Sequence, residues 1–130
     1  MKPTSASPRA LRLIQLGWVL GFGIGTSTHI LDLVLGGAAA YAGFPDLVRL
    51  FWVSLTVLDP LVIVLVLLRR RSGIYLGIGV IVVDIVVNWT VLLTLGGISW
   101  WGVISQTLFA VFLGVSAPYL WRWFRGGKGS

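Results

Sequence analysis

The chain of 130 residues contains no cysteine and no glutamate, a single histidine, and only four acidic residues against ten basic ones. Without cysteine there is no disulfide framework, no thiolate metal site and no thiol nucleophile. With one histidine there is no bis-histidine haem pair, and no serine-nucleophile motif stands in its place. Charge of either sign is scarce: 11% of the residues are charged and 57% are hydrophobic, and mean hydropathy is +0.96. A small water-soluble domain could not keep so much apolar surface away from water. These shortages predict an all-α integral membrane protein, a four-helix transmembrane bundle with N and C termini cytoplasmic.

What is present is four apolar runs. Spans are expected at 11–35, 47–68, 73–95 and 102–121, each long enough to cross a ~30 Å hydrocarbon layer at ~1.5 Å per residue. They form a single transmembrane domain, residues 11–125. A disordered N-terminal tail is expected over 1–10 and a flexible C-terminal tail over 126–130. A cleaved signal peptide is the rival reading of the first run, but no clear A-x-A site follows it at the expected distance.

The net charge of +6 would suggest nucleic acid in a soluble protein. Here the cations fall in short clusters beside apolar runs, which points instead to topology and lipid contact, with no nucleic-acid partner. Lys2, Arg9 and Arg12 precede the first span, Arg69, Arg70 and Arg71 join the second to the third, and Arg122, Arg125 and Lys128 follow the fourth. The other two loops hold only Asp46 and Arg49. An even number of spans with this bias puts both termini in the cytoplasm, at the cell membrane. Trp100 and Trp101 suit the outer aromatic belt, and Tyr119, Trp121 and Trp123 the inner one.

Within the runs, polar residues are few and collected. Asp84 and Asn88 sit one helical turn apart in the third span, His29 and Asp32 lie near the end of the first, and Asp59 stands before Pro60 in the second. Counted from the cytoplasmic arginines, Asp59 and Asp84 lie about 15 and 20 Å into the membrane, Asn88, Gln106 and His29 at roughly 24 to 26 Å, and Asp32 at about 30 Å. The cytoplasmic half of every helix is almost purely apolar. The arrangement predicts a polar cavity open to the outside and closed toward the cytoplasm.

Helical spacing brings these groups together. Gly17, Gly21, Gly25 and His29 recur at every fourth residue, a small-residue groove along which helices approach closely. Gly73, Gly77, Asp84 and Asn88 share a face in the same way, and Trp52, Thr56 and Asp59 form a stripe on the second span. Gln106, Trp89, Thr56 and Trp52 are expected as further pocket lining. Proline at 60 cannot donate to the carbonyl of Thr56, so the second helix either kinks there or breaks, with Asp59 as the cap of a new helix. The pentapeptides Leu33–Gly37 (LVLGG) and Leu93–Gly97 (LTLGG) read either as a duplicated hairpin or as a shared helix ending.

A central Asp costs on the order of 2.5 to 3.5 kcal/mol to insert, more than the ~0.6 to 2 kcal/mol that an interhelical hydrogen bond returns. Packing alone is therefore a poor reason to keep one. Carboxyls away from water suit proton or cation binding. The leading expectation is proton- or cation-linked transport of a small solute, with Asp84 and Asp59 as ion or proton sites, Asn88 as a neutral ligand, and His29 and Asp32 as a relay at the outer mouth. One alternative is a non-catalytic subunit or lipidic-ligand binder in a larger membrane complex. Another is an intramembrane enzyme using acid/base chemistry on a lipid-like substrate. No cofactor is expected, and the His and Asp spacing matches no recognised metal site. The expected company is membrane lipid, whose headgroups the arginine triplet would meet, and either further copies of the chain or a partner membrane subunit.

Overall fold

The computed structural model describes residues 5–127. Residues 1–4 of the expected N-terminal tail, with Lys2, and 128–130 of the C-terminal tail, with Lys128, lie outside the described residues. Among the described residues there is no strand. The elements are α1 (Pro8–Gly36), a single 3₁₀ turn (Gly37–Ala39), α2 (Asp46–Leu67), α3 (Arg71–Thr94) and α4 (Trp100–Gly126). All four α-helices are long and apolar enough to cross a membrane.

Local chemistry sets the helix ends and corrects several expected bounds. The Ser7 hydroxyl accepts from the Ala10 N–H at 3.1 Å and Pro8 holds the first helical φ, so residues 8–10, expected in the tail, are the first turn of α1. Ser99 caps α4 in the same manner by accepting from Gly102 N–H at 3.2 Å. The Trp100–Trp101 pair, expected ahead of the fourth span, therefore opens α4. At the other end α4 continues past Arg122 to Gly126. The two matching pentapeptides are helix endings: Gly37 (φ 55°), Gly96 (φ 68°) and Gly97 (φ 79°) all take the left-handed backbone that stops a helix cleanly. α2 ends the same way without glycine. Arg69 sits at φ 53°, Arg70 N–H reaches Leu65 O at 2.8 Å and Arg69 N–H reaches Val66 O at 3.0 Å.

Short connections make consecutive helices antiparallel neighbours, and α1 closes the ring against α4. One end of the bundle carries the 37–45 and 95–99 connections, here the loop end. The other carries both described chain ends and Arg69 to Arg71, here the arginine end. α2 runs as one helix through Asp59 and Pro60, so the broken-helix alternative is not what the chain adopts. α4 likewise accommodates Pro118.

The arginine half is a packed core. Trp18, fully buried, spans its centre: the indole N–H donates to Ser116 Oγ on α4 at 2.9 Å, and a β-carbon at Gly77 of α3 would stand only 2.8 Å from the ring. Val62, Val66, Leu113 and Leu120 belong to the same buried cluster. The outer faces are apolar too. Leu20, Val34, Val57 and Val86 are all exposed, an apolar exterior of the kind that suits a membrane.

Candidate functional site

The loop half does not close. Two adjoining cavities open there, of about 640 and 540 Å³, and His29, Asp32, Ser99, Gly102 and Gln106 line both. The upper one lies under the 37–45 connection and reaches Trp52 and Asn88. The deeper one lies between α1 and α4 and reaches Asp59 on α2 and Asp84 on α3.

A hub of hydrogen bonds centred on Asn88 joins residues that line the two cavities. Asn88 Oδ1 accepts from the Trp52 indole N–H at 2.9 Å, and Asn88 Nδ2 donates to Asp84 Oδ1 at 3.0 Å and to Gln106 Oε1 at 2.6 Å. One carboxamide thereby joins α2, α3 and α4, with both of its N–H donors and one of the two lone pairs of its oxygen engaged. Trp52 is wedged in turn between Tyr41 and Phe44, with ring centroids 4.9 and 4.8 Å away. The 37–45 connection is thus held over the bundle by aromatic packing.

At the mouth, Tyr41 bridges two residues of α1. Its hydroxyl donates to Asp32 Oδ2 at 2.8 Å and stands 3.1 Å from His29 Nδ1. Because that proton goes to Asp32, the phenol oxygen accepts at the imidazole, and Nδ1 carries a hydrogen. Tyr41 lies outside the helices; burial first, then the hydrogen bond and charge of Asp32, push its phenol above the usual tyrosine range. It therefore stays a donor at neutral pH. No motif or spacing places Tyr41 in the site. Its role depends on a backbone at φ 59°, which a tyrosine rarely adopts and which residue spacing does not reveal.

The deepest group is Asp59. It is 5% exposed, lines the deeper cavity, and receives no hydrogen bond or ion pair from any described residue. Its Oδ2 lies against α1 where a β-carbon on Gly25 would come within 2.7 Å, so the glycine makes room for the carboxyl. The rest of the α1 groove receives α4: Gly17 faces the Phe112 ring and Gly21 the Phe109 ring. Asp84, 6% exposed, has the single bond from Asn88. Among the described residues the one ion pair is Arg49 with Asp46 at 3.8 Å, on the surface. Among the described residues no lysine or arginine lines either cavity.

The structure thus brings together Asp84, Asp59, His29, Asn88, Asp32, Gln106 and Trp52. Two expected lining residues stand elsewhere. The Thr56 hydroxyl bonds Val53 O in its own helix, and Trp89 turns to α4, donating to Thr107 Oγ1 at 2.9 Å and packing edge-on against Trp100. Asp32 is solvent-exposed at the rim. Gly73 packs against α2, and Gly77 against Val62 of α2 and the Trp18 and Phe22 rings; neither lines a cavity. At the arginine end, Arg69 stacks on Trp123 at 4.0 Å and Arg71 on Trp121 at 4.2 Å, with Arg70 exposed between them. No three His or Asp side chains among the described residues converge as metal ligands. Compared with protein-family models, with curated proteins and with solved structures, the chain matches none.

Proposed function

We propose that the chain is a four-span integral membrane protein of the cell membrane, with both termini cytoplasmic, that moves a small solute in linkage with a proton or cation. One observation carries the reading. Asp59 and Asp84 face the same cavity; the one hydrogen bond either receives from a described residue is that from Asn88 to Asp84, and no described lysine or arginine pairs with them. A buried carboxyl without a counter-charge takes up a proton or holds a cation, and keeping two such groups costs more than structural hydrogen bonding returns. The closed arginine half beneath them supports a site accessible from one side at a time. His29, Tyr41 and Asp32 form a hydrogen-bonded relay at its mouth.

The cluster of arginines at one end supports the cytoplasmic placement of that end. A bundle of four helices encloses little volume, so assembly of two or more copies fits a transporting unit. A second reading is favoured by the position of the deeper cavity: lying between α1 and α4, it opens to the side of the bundle, as the site of a lipidic-ligand binder would.

The test is proton movement in liposomes under an imposed pH gradient. Wild-type protein is expected to carry a flux that Asp84→Asn abolishes, with helicity and oligomeric state unchanged. A wild-type flux that survives in both Asp84→Asn and Asp59→Asn overturns the assignment of these carboxyls.

A further inference from the structure

We infer that the deeper cavity takes an organic monocation with an apolar body, such as a substituted ammonium or phosphonium ion, admitted sideways between α1 and α4. The inference rests on the proposed site and names the class of solute it receives.

The sign of the ligand follows from what faces the cavity. From α1 come His29 and Asp32, from α2 Asp59, from α3 Asp84, and from α4 no titratable group at all. Asp59, 5% exposed and without a described donor, is the unanswered charge at the bottom. A bare metal ion would need several oxygen or nitrogen ligands, and among the described residues no three acidic or histidine side chains converge. The walls are instead apolar: Phe22, Phe109, Ile24, Val80 and Ile81. A cation that carries its own apolar groups needs no ligand shell, gains dispersion and cation–π contact with the phenylalanine rings, and presents one charge to the carboxyls. The volume of about 540 Å³ lies in the range of small-molecule sites.

The route follows from where α1 and α4 touch. In the arginine half they interlock through Gly17 with Phe112, Gly21 with Phe109, and Trp18 with Ser116. Beyond Gly21 the cavity itself separates them, and Ile24 and Thr28, both exposed, stand on its rim. An amphipathic cation held at a bilayer interface would meet that gap directly.

The experiment is equilibrium binding to the full chain in nanodiscs, with empty nanodiscs subtracted. The probes are tetraphenylphosphonium, the neutral triphenylphosphine oxide, and tetramethylammonium, which lacks the apolar body. Tetraphenylphosphonium is expected to bind saturably and the other two at least about tenfold more weakly. Asp59→Asn is isosteric and breaks no described hydrogen bond, so it should fold; it is expected to weaken phosphonium binding by about tenfold or more. On the unmodified chain, lowering the pH should also weaken binding, because protons compete for the same carboxyls. Equal binding of the neutral analogue, or phosphonium binding indifferent to both Asp59→Asn and pH, overturns the inference. The two readings fail separately. Asp84-dependent proton flux without phosphonium binding leaves transport standing and removes this solute class. Carboxyl-dependent phosphonium binding, with no flux of proton or phosphonium, does the reverse.

Discussion

Asn88 ties α2, α3 and α4 through a single carboxamide, accepting from Trp52 and donating to Asp84 and Gln106. Each such bond contributes only about 0.6 to 2 kcal/mol in a bilayer, yet removing the hub also leaves the buried indole N–H of Trp52 without an acceptor. Asn88→Ala is expected to lower stability by about 2 to 4 kcal/mol, read from unfolding in detergent mixtures, whereas Thr56→Ala, whose hydroxyl only bonds its own helix, should fall within about 0.5 kcal/mol of wild type. Tyr41 makes a different kind of prediction. Its folded phenol titrates above its unfolded value, so the stability it lends is fully present below the ordinary tyrosine range and is lost as pH rises through the folded value. As the chain has one histidine, a nitrogen-15 spectrum of the ring is unambiguous. Nδ1 should be protonated in the wild type at neutral pH, and Tyr41→Phe should shift the population toward the Nε2–H tautomer. An unchanged tautomer ratio would mean that Tyr41 does not orient the ring.

Among the elements, α1 carries the sharpest steric requirement. A β-carbon on Gly21 would collide with the Phe109 ring, while Gly23, two residues on, has open space around it. Gly21→Ala should push α4 away from α1 and destabilise the bundle by about 1 to 3 kcal/mol, and Gly23→Ala should be neutral or stabilise it by up to about 1 kcal/mol. Thermal unfolding of the two variants side by side checks both signs. The Gly17–Gly21–Gly25 stripe was legible in the sequence as a close-approach groove because its four-residue period is a property of any helix. Its occupants were not: which ring or carboxyl fills each notch depends on the relative rotation of α1, α2 and α4, which periodicity within one helix cannot fix. The same limit explains Trp89. Its neighbourhood to Asn88 in sequence suggested the pocket, but one residue is a rotation of ~100° around a helix, and the indole faces Thr107 instead. The helix starts at Ser7 and Ser99 are set by side-chain caps, where composition favoured a tail before residue 11 and a fourth span from residue 102.

For the whole molecule, the surface carries the argument. Apolar side chains cover the outside of all four helices, the arginine end is ringed by guanidinium groups stacked on tryptophan, and the loop end presents Asp32 and Asp46. Stacking on Trp123 and Trp121 holds Arg69 and Arg71 beside rings that favour the headgroup level, so charge and aromatic anchor act at the same height. In the proposed topology the arginines face the cytoplasm and the cavity mouth faces outside. Because the chain has no cysteine, introduced thiols report without background. Gly43→Cys, exposed in the loop end, is expected to react with a membrane-impermeant maleimide added to intact cells, and Ser5→Cys, exposed ahead of α1, only after the cells are opened. The reverse pattern would turn the cavity toward the cytoplasm and leave Asp59 and Asp84 reachable from inside. Labelling of both sites from outside would mean that the chain inserts in both orientations, and a transporting unit would then have to be built from oppositely directed copies.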